Sequence, residues 1–265
     1  CGAVQSNHCR LTAAWSAKEG LDCHLVLEER VAGSYKAEAS GNNFLFELLD
    51  VKSIDVVAGG SDMMAEMEKK ADALKAAGKT PYIVPGGASN AIGATGYAVC
   101  AEETMAQLNA MRLDIDHIFV PSGSAGSHAG MVVGMIGVNG GIPISGVNVS
   151  RPKDVQEEIV YNLAKETALH VGVDGEIPRE AITCFGDYVG PGYSRPTPEM
   201  GEAVRMLARN EAILLDPVYT GKAFYGMIQE LKRDPGCFGE RIIFIHTGGL
   251  FGLFPQAGEM TPLIS

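Results

Sequence analysis

The run from Val120 to Gly134, VPSGSAGSHAGMVVG, sets four glycines and three serines between aliphatic stretches. Residues 116–120 before it read as a short buried strand, and residues 129–136 after it as a small-residue helix. A glycine loop between a strand and a helix N-terminus offers unpaired backbone N–H groups at the positive end of the helix dipole. It therefore attracts a phosphate or a carboxylate, although an ordinary tight turn has the same composition. No Lys-Ser/Thr pair follows, which excludes a Walker A loop, and the G-x-x-G-x-x-x-G spacing of Gly123, Gly126 and Gly130 departs from G-x-G-x-x-G.

Three other loops stand at strand ends with similar chemistry: Gln5-Ser6-Asn7-His8, residues 190–196, and His246-Thr247-Gly248-Gly249. In α/β proteins ligands collect at the carboxyl ends of strands. Together these loops supply hydroxyls, amides and backbone donors with few charges. That inventory suits an anionic aromatic cofactor held by neutral groups. It suits a metal poorly, since the six histidines are scattered and no His or Asp/Glu group has ligand spacing.

The elements that must position these loops alternate along the chain. Strands are expected at 23–27, 53–57, 81–85, 116–120, 144–149 and 241–246. Helices are expected at 9–18, 42–49, 62–77, 93–107, 129–136, 155–170, 197–209 and 219–231. Such alternation implies an α/β protein with parallel sheets covered on both faces. A domain boundary is expected near residues 90–96, dividing a smaller unit, 1–92, from a larger one, 93–265.

Bulk properties narrow the partners. A net charge of −11 over 265 residues argues against nucleic acid, and no apolar run approaches the roughly 18–20 residues that span a bilayer. Cysteines at 1, 9, 23, 100, 184 and 237 lack C-x-x-C spacing, which points to reduced thiols and a cytoplasmic enzyme. The chain starts at Cys1 without a methionine or a secretory segment, so an upstream segment is expected.

Five motifs occur in order: Gln5-Ser6-Asn7-His8, Ser122-Gly123-Ser124-Ala125-Gly126, Gly190-Pro191-Gly192-Tyr193, Leu215-Asp216-Pro217-Val218-Tyr219-Thr220-Gly221-Lys222, and Phe244-Ile245-His246-Thr247-Gly248-Gly249. They resemble the D-cysteine desulfhydrase and 1-aminocyclopropane-1-carboxylate (ACC) deaminase family of pyridoxal-phosphate enzymes, over essentially the whole chain. The resemblance implies the tryptophan-synthase-β-like fold (fold type II): two three-layer domains with mostly parallel twisted sheets and a cofactor cleft between them. It also implies a homodimer acting on a small amino-acid substrate.

By the same resemblance, backbone N–H groups of Ser124, Ala125, Gly126 and Ser127 form the phosphate cup. Asn7 matches the residue that hydrogen-bonds the cofactor's phenolic oxygen, and Ser6 the serine near the substrate carboxylate and the transferring proton. Tyr219 and Tyr193 match the two tyrosines flanking the substrate, with Tyr188 as a competing candidate for the second. A phenol ordinarily titrates near about 10, so its surroundings must activate it as a base. Each of these residues could instead serve loop structure or packing alone.

Two positions bear on the reaction. In the ring-opening deaminases the position of Thr220 is acidic and that of Thr247 apolar; here both are threonine, as in the desulfhydrases. A hydroxyl facing the pyridine nitrogen leaves it unprotonated, which suffices when a good leaving group departs from Cβ. The resemblance thus implies α,β-elimination of D-cysteine to pyruvate, ammonia and hydrogen sulfide. L-cysteate sulfo-lyases are also similar, on Asp62 to Glu68, Pro85-Gly86-Gly87-Ala88-Ser89-Asn90 and Tyr161-Asn162-Leu163-Ala164, with Arg10, Arg151 and Arg195 as possible sulfonate partners or mere surface cations. One departure is serious: the lysine that anchors the cofactor lies upstream of the Gln-Ser-Asn motif in this family, and no lysine here occupies that place. Lys222 reads as part of a supporting helix. Without the anchor, the scaffold would be a cofactor- or amino-acid-binding module.

Overall fold

The computed structural model describes residues 1–264. The chain divides into two compact units, 1–88 with 251–255, and 89–250 with 256–264.

The first unit carries a parallel sheet in the order β1-β2-β3, made of Gly2–Ala3, His24–Glu29 and Ser53–Ala58. Its helices are α1 (Asn7–Glu19), α2 (Asn42–Leu48) and α3 (Met63–Ala76). Leu25 and Leu27 of β2 pack with Cys9 and Ala13 of α1 and Phe46 of α2. Asp62 caps α3 by accepting from the N–H groups of Met64 and Ala65. The strand expected at 81–85 is absent: Pro81 and Pro85 remove two ladder donors, and Tyr82 stands exposed.

The second unit follows with α4 (Ala91–Met111), β4 (His117–Ser122), α5 (Gly126–Gly137), β5 (Ile144–Asn148), α6 (Lys153–Val171), β6 (Thr183–Phe185), α7 (Pro198–Glu211), α8 (Thr220–Arg233), β7 (Ile242–Phe244) and α9 (Ala257–Met260). Its four strands are parallel in the order β6-β5-β4-β7. Every residue of β4 is buried, because both faces are covered. Ile118 and Val120 pack with α5 and α6, while Phe119 packs with Ala223 and Met227 of α8.

Helix α5 begins three residues earlier than its apolar spacing suggests, since glycine, serine and histidine at its start carry no hydrophobic signal. A Cβ at Gly130 would fall 2.3 Å from Ala94 O, and one at Gly134 2.3 Å from Ala98 O. Gly130 therefore belongs to a close crossing of α4 and α5 rather than to the anion loop. The observed division after residue 88 lies just before the expected boundary, and the return of 251–255 to the first unit has no sequence signal.

Candidate active site

In the first unit the Gln-Ser-Asn motif sits at the start of α1. Ser6 caps the helix, its Oγ accepting from Cys9 N–H at 3.1 Å, and it is 3% exposed. Asn7 follows, with Oδ1 accepting from Arg10 Nη2 at 2.6 Å, so the donating end of the amide is the one left for a ligand. Arg10 lies with its guanidinium 5.1 Å from the Phe251 ring centre. It is a holder of Asn7 rather than a surface cation. Gln5 ties the motif down: Oε1 accepts from Asn42 N–H at 2.8 Å, and Asn42 Nδ2 returns a bond to Gln5 O at 2.9 Å. Asn42, 1% exposed, is a supporting residue that a lone asparagine at a helix start did not reveal. Burial pushes the neighbouring His8 down to about 4, keeping it neutral.

The glycine loop of the second unit closes β4 onto α5. Ala125 takes the N-cap position with φ 82°, and its side chain cannot cap. Gly126 N–H donates to Ser89 Oγ at 3.2 Å. Among the described residues, the N–H groups of Ser124, Ala125, Ser127 and His128 have no acceptor within the chain, and no acidic residue lies in the first turn. Behind the loop, Gly123 O accepts from Arg151 Nη1 at 2.6 Å and from Gln156 Nε2 at 3.0 Å. Gln156 Nε2 also reaches Ser122 Oγ, which meets His128 Nδ1 at 3.2 Å. Arg151 is thus built into the loop's support, whereas Arg195 is exposed.

Asp216 organises the start of α8. Its carboxylate accepts from the N–H groups of Val218, Tyr219 and Thr220 and from the Thr220 hydroxyl at 2.7 Å. The Thr220 hydroxyl in turn accepts from Asp216 N–H at 3.0 Å. Thr220 is fully buried and its one hydroxyl proton is committed. Thr247 is half-buried and its hydroxyl carries no such bond. Gly249, with φ 95°, brings the 247–249 turn against Asp216: a Cβ there would fall 2.6 Å from Oδ1. Burial raises the Asp216 carboxyl, against the pull of its four donors.

Tyr219 and Tyr193 come together. Their hydroxyls hydrogen-bond each other, with ring centres 5.8 Å apart at 72°. The position of a Cβ on Gly123 lies 3.9 Å from Tyr219 Cε1, which sets the tyrosine beside the glycine loop. Tyr188 is elsewhere employed: its hydroxyl donates to Glu230 at 2.5 Å, and its ring packs over Gly226. It is a packing residue. Lys222 is 1% exposed and donates to the carbonyls of Val189 and Gly192.

The family model described as pyridoxal-phosphate dependent enzyme matches residues 1–248. The chain belongs to this family. It is 42% identical over 260 residues to a D-cysteine desulfhydrase of Yersinia enterocolitica serotype O:8 / biotype 1B, an overlap of 96% of this chain and 77% of the relative. A Yersinia pestis protein of the same name is 40% identical over the same shares. Among solved structures, an ACC deaminase homologue superposes with a TM-score of 0.84 at 35% identity, over 99% of this chain and 76% of that one. A hydrogen sulfide-producing enzyme from Fusobacterium nucleatum, at 17% identity and a TM-score of 0.56 over 93% and 74%, shares the fold.

The second unit's residues fit the cofactor of this family. Four N–H groups without acceptors among the described residues stand at the dipole-positive end of α5, and the first turn of that helix carries no acidic residue. Of the expected set of residues 124–127, Gly126 N–H donates to Ser89 Oγ while the other three have no acceptor among the described residues, and His128 N–H joins them in that. Of the two threonines, Thr220 has its hydroxyl proton committed to Asp216, and Thr247 has no such bond.

Proposed function

We propose that the protein is a pyridoxal-phosphate dependent carbon–sulfur lyase that converts D-cysteine and water to pyruvate, ammonia and hydrogen sulfide. The observation that carries this reading is the placement of the anion-ready loop at 123–128 beside the bonded pair Tyr219 and Tyr193. The names of the relatives support the substrate class. Pyridoxal phosphate supplies the electron sink that lets an α-proton and a β-leaving group depart.

The chain's own residues supply the rest. The N–H groups of Ser124, Ala125, Ser127 and His128 hold the phosphate against a helix dipole. Asn7, with its oxygen fixed by Arg10, presents N–H to a phenolic oxygen, and Ser6 donates a hydrogen bond to the substrate carboxylate. The Tyr193–Tyr219 bond joins the two phenols, so that one donates to the other and stabilises it when the accepting phenol gives up a proton. Thr247 offers a neutral hydroxyl to the ring nitrogen, which favours elimination of a good leaving group over opening a strained ring. The same reading makes the protein a cytoplasmic homodimer; its support is the six unpaired cysteines and the resemblance to the desulfhydrases.

The test uses the protein as encoded, incubated separately with D-cysteine, L-cysteine, L-cysteate and ACC. Sulfide and pyruvate from D-cysteine are expected, with the visible absorption of an anchored cofactor. Sulfite from L-cysteate at a higher kcat/KM would make it a sulfo-lyase, and 2-oxobutyrate from ACC a deaminase. Absence of both product and absorption would reduce it to a binding module.

A further inference from the structure

Buried lysines are almost always paired with carboxylates, because an ammonium without a counter-charge is costly in a low dielectric. Lys222 breaks this rule. It is 1% exposed, and among the described residues it has no carboxylate within salt-bridge distance. Its Nζ donates instead to Val189 O at 2.6 Å and to Gly192 O. Those two carbonyls belong to the loop that ends in Tyr193. The loop is bent by φ of 67° at Gly190, 140° at Gly192 and 59° at Ser194, which turns its carbonyls inward. On the far side of Tyr193, Ser194 Oγ accepts from Gln256 Nε2 at 2.8 Å. Tyr219 stands one turn before Lys222 on the same helix start.

From this we infer that Lys222 is a positioning residue: its ammonium staples the 189–192 backbone to α8 and thereby sets Tyr193 against Tyr219. The inference rests on the reading of those tyrosines as the acid–base pair. An ammonium has three donors and no acceptor, so it is suited to bridging two carbonyls, and charge strengthens both bonds. Desolvation brings Lys222 down to about 8. A neutral amine retains two hydrogens, but its bonds lose their charge assistance. The staple therefore weakens in mildly alkaline solution.

The neighbouring charged and titratable groups do not replace it. Asp216 is taken by the start of α8, and Glu230 by Tyr188 and Arg233. His117 of β4 is bound to Ser145, Asp187 pairs with Arg233, and Glu199, Glu202 and Arg205 belong to α7. None of these forms an ion pair with Lys222.

The test compares holoenzyme of the wild type, Lys222→Met and Lys222→Arg. Lys222→Met is expected to keep the cofactor absorption while kcat falls roughly 10²-fold with little change in KM, the scale set by misplacing a catalytic group by about 1 Å. Lys222→Arg should recover most of kcat and move the alkaline limb of the kcat profile upward, because a guanidinium does not titrate there. Amide exchange of residues 187–196 gives a reading independent of turnover. Protection relative to the rest of the chain should drop above pH 8 in the wild type but not in Lys222→Arg. Unchanged kcat in Lys222→Met, or an alkaline limb and loop protection identical in wild type and Lys222→Arg, would overturn the staple. If Lys222→Met does not fold, the wild-type and Lys222→Arg exchange profiles decide alone. Active Tyr193→Phe and Tyr219→Phe enzymes would instead sink the tyrosine reading, leaving the loop measurement to judge Lys222.

Discussion

The Tyr193 and Tyr219 hydroxyls bond to each other although 26 residues separate them, one from a glycine-rich loop and the other from the cap of α8. Two phenols in one hydrogen bond are unequal: one donates and the other accepts. Replacing either with phenylalanine removes both the bond and the asymmetry. Tyr219→Phe is expected to lower kcat by about 10²–10⁴-fold, and Tyr193→Phe by the same range or less. The cofactor absorption should persist in both, measured on the same samples. A variant that loses cofactor and activity together would place that tyrosine in binding rather than proton transfer.

The glycine loop depends on what stands behind it. Gln156 is fully buried and donates to both Gly123 O and Ser122 Oγ. Gln156→Met fills the same space without a donor, so Gly123 O keeps only Arg151 and Ser122 Oγ only His128, a loss of about 1 kcal/mol for each bond removed. The expected result is weaker cofactor binding by roughly tenfold or more, read by equilibrium dialysis, with a smaller loss of kcat at saturating cofactor. Unchanged affinity would show that Gly123 is held well enough by Arg151 alone.

The parts of this protein legible in its sequence are those written in local pattern. The alternation of strands and helices, the glycine loop and the Asp-Pro-Val-Tyr run each occupy a few consecutive residues with a distinctive composition. What was not legible depends on long-range partners. Thr220 and Thr247 have the same side chain, and only the position of Asp216 shows that one hydroxyl proton is already committed. Arg10 and Arg151 read as surface cations until Asn7 and Gly123 were placed beside them. Strand β6, three residues long, is too short for any periodicity. Gly130 looked like part of the loop because its role is set by a carbonyl on another helix.

Stability should depend on pH through buried imidazoles. His128 is fully buried, and desolvation brings it down to about 4 from 6.5. The unfolded chain therefore binds a proton between those values that the folded chain refuses. Stability from this group is complete above pH 6.5 and is lost as pH falls towards 4, amounting to about 3 kcal/mol. Urea unfolding at pH 7 and pH 4.5 measures it, and the imidazole resonances of His128 should stay neutral at pH 5.5. A charged His128 at that pH would contradict the burial argument.

The two threonines separate structure from chemistry. The Thr220 hydroxyl both donates to Asp216 Oδ1 and accepts from Asp216 N–H, inside a fully buried helix start. Thr220→Val leaves these partners unsatisfied, so a loss of about 1–3 kcal/mol in unfolding free energy is expected. At Thr247, half-buried and without such bonds, valine should cost much less stability. Its effect should appear in turnover, because the ring nitrogen loses its hydroxyl neighbour. An acid placed there, Thr247→Glu, would favour a protonated nitrogen and shift the cofactor's electronic character. Denaturant midpoints, cofactor spectra and kcat measured on both valine variants distinguish the roles. A large spectral change in Thr220→Val with none in Thr247→Val would reverse the assignment, since it would mean that the buried hydroxyl leaves Asp216 to meet the ring.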